Sequence, residues 1–262
     1  MIIDFHVHCF PDELALRAVS SLAERSGINP RLDGTVEDIR KSMEISGVGK
    51  SVVLPIATKP TQTEKINEWA FNIQGGGVIA FGSVHPYYTG WEKELKRIKE
   101  MGLKGVKFHP DYQQFFVDEK KMFPIYELAF ELGLIVVFHA GVDLGFRPPF
   151  HCTPEKLSKV VKAFPGGKIV AAHMGGYKYW NDVEKYLVGM EIFFDTSYSL
   201  GCIGWHQAER IIRTHGYNKI LFATDSPWKS QAEEIEKVRR LNLGEGEIDA
   251  ILGGNAEALL TA

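Results

Sequence analysis

Cysteine is scarce and scattered in this chain. Its 262 residues include three, Cys9, Cys152 and Cys202. There is no C-x-x-C pair, which excludes a disulfide framework, a cysteine-built structural zinc and a dithiol redox centre. The three read as reduced, packed thiols, and Cys9 has the opposite strand parity from the histidines beside it, which sets it aside as a ligand. Long apolar runs are missing too. The longest, Leu134 to Phe138, falls far short of the roughly 20 residues a membrane helix needs, so no membrane partner is expected. No charge of one sign dominates: the formal net charge is -3, with acids and bases interspersed, and nothing resembles a nucleic-acid footprint. A charged and then apolar leader does not fit between Met1 and the first strand-like run, so the expected location is cytoplasmic. The Gly75-Gly76-Gly77 run falls between a helix and a strand, where glycine stops a helix; a phosphate loop would sit between a strand and a helix.

What is present is alternation. Short apolar runs alternate with amphipathic stretches from end to end. The runs are Ile2–His8, Lys50–Leu54, Val78–Val84, Gly105–Phe108, Leu134–Phe138, Lys168–Ala172, Ile192–Asp195 and Ile220–Ala223. Continuous apolar strands separated by helices imply a parallel sheet buried on both faces. Eight such units in about 250 residues predict an α/β fold of the (β/α)8 TIM-barrel type, one domain over residues 1–262, with an open doubly wound sheet as the alternative. The first connection is unusually long. Residues 9–49 hold a helix opened by Pro11-Asp12-Glu13 and a second opened by Thr35, an insertion of the kind that commonly becomes a lid. Asn255 is placed to cap the last helix.

Barrels of this type carry their sites at the C-terminal rim, so the residues that end each strand are the informative ones. In Ile2-Ile3-Asp4-Phe5-His6-Val7-His8, strict alternation sets Asp4, His6 and His8 on one face, with the two imidazoles roughly 6.5–7 Å apart at Cα, able to converge on one metal. Strand 5 ends in His139, strand 6 in His173 and strand 8 in Asp225. A lone histidine ending an apolar run is usually a hydrogen-bonded structural residue. Four strands doing so point to a site. His6, His8, His139 and Asp225 offer three imidazoles and a carboxylate, a set that suits zinc, with iron, manganese and cobalt also compatible. Such an ion lowers the pKa of bound water to about 7. His173 is then placed to orient that water or move its proton, and Asp4 to support the ligands from one layer deeper.

The order His-x-His, His, His, Asp over strands 1, 5, 6 and 8 resembles the amidohydrolase superfamily. Ile3-Asp-Phe-His-Val-His8, Gly105-Val-Lys-Phe-His-Pro110, His173-Met-Gly-Gly176, Thr224-Asp-Ser-Pro227 and Gly254-Asn-Ala256 resemble its amidohydrolase-2 branch, which includes the aminocarboxymuconate-semialdehyde decarboxylase-like enzymes. The resemblance implies one catalytic metal on His6, His8, His139 and Asp225, with His173 activating water and Asp225 also able to handle protons. In two-metal branches a carboxylated lysine ends strand 4. Lys107 has that place, and if carboxylated would bridge to a second ion on His139 and His173. Nuclease-like relatives carry a glutamate where the third or fourth strand ends; this chain has His85-Pro86 and His109-Pro110 there.

The expected activity is metal-dependent hydrolysis of an amide, lactone or ester in a small molecule. The alternative is non-oxidative decarboxylation of a small unsaturated or aromatic acid, and a remoter one is a non-catalytic metal- or ligand-binding barrel. Substrate contacts are expected from Lys107, His109, Arg147, His151 and Tyr198 on the rim, with Arg147 as a carboxylate clamp. Self-association into a homo-oligomer is compatible with the resemblance.

Overall fold

The computed structural model describes residues 1–262. Eight parallel strands, β1 (Ile2–Val7), β2 (Val48–Val53), β3 (Val78–Ala80), β4 (Gly105–Phe108), β5 (Ile135–Phe138), β6 (Ile169–Ala171), β7 (Phe193–Asp195) and β8 (Ile220–Leu221), alternate with helices. Ladder pairing runs β1-β2-β3 and β4-β5-β6-β7-β8, and shorter contacts join the two groups. Gly82 N donates to Gly105 O and Lys107 N to Gly82 O, each at 2.8 Å; Phe5 N donates to Phe222 O at 2.9 Å and Asp225 N to His6 O at 2.8 Å. The sheet therefore closes on itself, as the eight units in sequence imply, and leaves no open edge. No helix is long and apolar enough to cross a membrane.

The inner cluster, with Phe5, Val52, Phe81, Val137, Val170 and Leu221 at its centre, is joined by Leu259 and Leu260 of the last helix. The larger outer cluster, including Val53, Val106, Phe108, Phe138 and Phe194, packs the strands against the helices. Two helices, Asp12–Ser26 and Val36–Ser46, fill the long connection from β1 to β2. The second starts as its sequence predicts, with Thr35 Oγ1 accepting from Asp38 N at 3.1 Å.

Strand β1 departs from simple alternation. Asp4 pairs with Ser51 but Val7 with Val53, so β1 carries one residue more than its partner over this interval. Such a bulge shifts side-chain parity. Phe5 points into the inner cluster and Val7 into the outer one, while Asp4 bonds Gln231 of the helix behind the sheet. Asp4 therefore does not share a face with His6 and His8. It ties β1 to the end of β8 from outside the barrel: Oδ1 accepts from Thr224 N at 3.0 Å and from His6 N at 3.3 Å, and Oδ2 from Thr224 Oγ1 at 2.7 Å.

Strand β8 is also shorter than its apolar run. The Thr196 hydroxyl accepts from Ala223 N at 2.9 Å and donates to Ala223 O at 3.0 Å, so a side chain replaces the ladder there. At Gly141 (φ 88°) pairing instead continues past β5, and a Cβ would lie 2.2 Å from Tyr177 N. This contact draws the loop after β5 against the loop after β6.

Asn255 is not an N-cap, because a π-helical turn over Ala250–Gly254 runs directly into the last helix and leaves no free helix start. Its side-chain amide instead donates to Tyr217 O and Ile220 O, each at 2.7 Å. Asn255→Ala orphans these carbonyls and is expected to lower unfolding stability in urea by about 1–3 kcal/mol.

Candidate metal centre

At the C-terminal rim the bulge turns His6 inward beside His8. His6 Nε2 and His8 Nε2 stand 3.1 Å apart, and Asp225 Oδ1 lies 3.5 Å from the first and 3.3 Å from the second. The outer nitrogens settle what these atoms are. His8 Nδ1 donates to Leu54 O at 2.9 Å and His6 Nδ1 to Asp195 Oδ2 at 2.8 Å. Both Nε2 atoms therefore present lone pairs, and their approach is not a hydrogen bond. Metal bonds of about 2.0–2.1 Å place neighbouring ligand atoms roughly 3.0–3.4 Å apart. The triplet fits a divalent cation on this ground.

Asp195 ends β7 and is fully buried. Burial alone would raise its pKa, but the charge and hydrogen bond of His6, with further help from His173 and Ser197, hold it well below the usual carboxylate range. Its Oδ1 accepts from His173 N at 2.9 Å, from Ser197 N at 3.0 Å and from the Ser197 hydroxyl. The sequence reading assigned Asp195 no role, although it ends a strand as the other site residues do. Asp225 is likewise held below its ordinary range: burial opposes this, and the closeness of the His8, His6 and His173 imidazoles prevails.

Lys107 projects into the same space from β4, fully buried, with Nζ 3.2 Å from His6 Nε2. Burial brings its pKa down to about 8, and burial together with the Lys107 charge lowers His6 to about 3. His173 and Asp225 both sit in the left-handed region, at φ 62° and 67°. Non-glycine residues rarely adopt that backbone, and such strain concentrates at functional sites.

His139 stands outside the triplet. Its Nδ1 meets His173 Nε2 at 3.0 Å, while His173 Nδ1 donates to Ser197 O at 2.9 Å. The ring of His173 lies 5.5 Å from that of His6, so all four imidazoles share one neighbourhood. His139 also belongs to a second group of possible ligands, with His109 and Asp143. His109 is buried, stacks on His139 with centroids 4.1 Å apart, and has Nε2 3.1 Å from Asp143 Oδ2. Asp143, too, belongs to none of the motifs.

Aromatic side chains flank this cluster. Tyr112 packs on His109 and Phe146 on Tyr112; on the other side Tyr177 packs on His173 and Tyr198 on Tyr177. Half-buried Tyr198 stands one ring further out, against Tyr177. Arg147 does not reach it: the residue is exposed, in a loop tip, with no hydrogen bond or ion pair. His151 is used structurally, its Nδ1 on Pro110 O at 3.1 Å and its backbone N on Asp111. Cys9 packs in the outer cluster, where burial pushes its thiol up to about 12.

The family model described as amidohydrolase matches residues 3–261. The chain belongs to the amidohydrolase family. It is an enzyme of that type, as its motifs implied. No curated protein matches it. Solved structures share its fold at low identity. The 5-carboxyvanillate decarboxylase from Sphingomonas paucimobilis is 16% identical at a TM-score of 0.72, covering 99% of this chain and 98% of that one. A 2,6-dihydroxybenzoate decarboxylase from Rhizobium is 14% identical at 0.71, covering 99% and 98%. A manganese complex of 5-carboxyvanillate decarboxylase from Novosphingobium aromaticivorans is 15% identical at 0.73, covering 100% and 96%.

Removing the carboxylate that orients a metal-binding histidine typically costs 10–100-fold in metal affinity. Asp195→Asn is therefore expected to weaken divalent-metal binding by about that factor in a chelator competition, with the fold retained by circular dichroism.

Proposed function

We propose that the protein is a non-oxidative decarboxylase of a small aromatic or unsaturated carboxylic acid, working with one divalent ion held by His6, His8, His139 and Asp225. The observation that carries this reading is Lys107, a buried cation beside the ligand triplet. A buried ammonium at that place matches the charge of a substrate carboxylate, which needs a counter-charge when it leaves water, better than it matches a neutral ester or amide. The aromatic flanks suit a planar substrate. The decarboxylases among the similar structures support the same choice over hydrolysis.

The donor set contains nitrogen and oxygen but no thiolate, which suits manganese as well as zinc. The manganese in the Novosphingobium relative favours manganese here. When bound, the ion supplies a Lewis-acid site for substrate oxygens.

The chain's own residues divide the remaining work. Lys107 pairs with the substrate's anionic group and orients it. Tyr177 and Tyr198 wall the site on the His173 side and limit the entry of water. The carboxyl carbon departs as CO₂, the electron pair of the broken C–C bond stays on the ring or vinyl carbon, and a proton must replace it. His173, with Nδ1 fixed on Ser197 O, presents Nε2 to hold and deliver that proton.

A panel of carboxylated aromatics, unsaturated acids, esters, lactones and amides tests the reading, scoring CO₂ and acid release separately. CO₂ from one or more acids is expected. Loss of one partner of a buried charge pair costs about 2–5 kcal/mol, so Lys107→Met should lower kcat/KM for that acid roughly 30-fold or more, while Arg147→Ala stays near wild type. Acid release from esters, lactones or amides without CO₂ would return the assignment to hydrolysis.

A further inference from the structure

Three of the four imidazoles in the centre have their outer nitrogen fixed by an acceptor. His6 uses Asp195, His8 uses Leu54 O and His173 uses Ser197 O. His139 alone has none: its Nε2 is buried without a partner, in a side chain only 8% exposed. The difference matters once His139 is a ligand. A neutral imidazole that turns the Nδ1 lone pair to an ion must carry its proton on Nε2. That N–H then requires an acceptor in a place water does not reach.

We propose that Asp143 is that acceptor, a positioning residue that anchors His139 in the ion-bound enzyme. The inference rests on the ligand set proposed above. A ring nitrogen of His139, one of His109 and a carboxylate oxygen of Asp143 lie within 4.8 Å of one another. His109 and His139 stack almost parallel, at 13°, which sets the edge of His139 beside the carboxylate that His109 contacts. Asp143 Oδ2 takes a hydrogen bond from His109 Nε2, and Oδ1 takes one from Gly145 N at 2.7 Å. A carboxylate has about four acceptor positions, which leaves room for His139 without displacing either donor.

The loop bearing Asp143 is built to hold it still. Arg25, in the last turn of the first inserted helix, donates from Nε to Gly145 O at 2.8 Å and lays its guanidinium 4.2 Å from the centre of the Phe146 ring. A Cβ on Gly145 would lie 3.1 Å from Asp143 Oδ1 and 3.2 Å from Arg25 Nε, so the three fit closely. The insertion after β1 thereby acts on the metal centre through Asp143.

Manganese affinity and stoichiometry, measured on the full chain with Mn²⁺ alone against a chelating dye, test the inference. Wild type should take one equivalent. Asp143→Ala should bind the same equivalent about 10–100-fold more weakly, and His109→Ala should bind it as wild type does. Asp143→Asn keeps an acceptor for Gly145 and so guards against collapse of the loop; it should bind more weakly than wild type and more tightly than Asp143→Ala. Wild-type affinity in both Asp143 variants, or an equal loss in His109→Ala, overturns the role of Asp143. Two equivalents in wild type and one in each of Asp143→Ala and His109→Ala also overturn it, since the rim group would then be an ion site itself. A wild-type protein that takes no metal contradicts the proposed function, and the inference falls with it.

Discussion

Two bare imidazole nitrogens repel at 3.1 Å, and a carboxylate oxygen beside them adds a negative charge to the same small space. The rest of the barrel rim is arranged around this constraint. Only a cation relieves it, and the protein's own is Lys107, whose ammonium lies 3.2 Å from His6 Nε2. The lone pairs cannot turn away, because the far side of each ring is fixed by Asp195 or by the Leu54 carbonyl. The protein therefore holds the ligand atoms in place by contacts of its own, and such rigid second contacts raise metal affinity.

Holding them requires departures from regular structure. The β1 bulge turns His6 inward next to Phe5 and sends Asp4 outward, where its carboxylate grips the backbone of both Thr224 and His6. Asp225 and His173 occupy left-handed backbone, each tied by its own N–H, Asp225 to His6 O and His173 to Asp195 Oδ1. One buried carboxylate, Asp195, thus serves the ring of one site histidine and the backbone of another. Strain at these positions is stable because the neighbouring strands overdetermine it.

Much of this was legible in the sequence, for reasons that can be named. Parallel strands buried on both faces announce themselves as apolar runs, and a barrel sends its function to the residues that end them. That rule alone finds His6, His8, His139, His173 and Asp225. Applied to every strand it also finds Asp195, which has no distinctive motif around it. Asp4 was misplaced for a different reason: periodicity assumes one residue per step, and a bulge leaves no mark in an alternating run. Arg147 and His151 illustrate the limit for loops. Their chemistry suits a substrate, but only the fold shows that one faces solvent and the other pins Pro110. Nor does any local pattern join Arg25, Gly145 and Asp143, which are more than a hundred residues apart from first to last. The motifs at the metal also say nothing about the bond broken; the proposed decarboxylation rests on Lys107 and on the relatives.

Everything here turns on the His6, His8 and Asp225 atoms describing a divalent-ion site. Anomalous diffraction from crystals grown with Mn²⁺ addresses it directly. The expected result is a single strong peak bonded to His6 Nε2, His8 Nε2 and an oxygen of Asp225 at about 2.0–2.2 Å, lengths ordinary for such ligands, with the Lys107 ammonium moved off His6. No peak there, with Lys107 still against His6 Nε2, would contradict it.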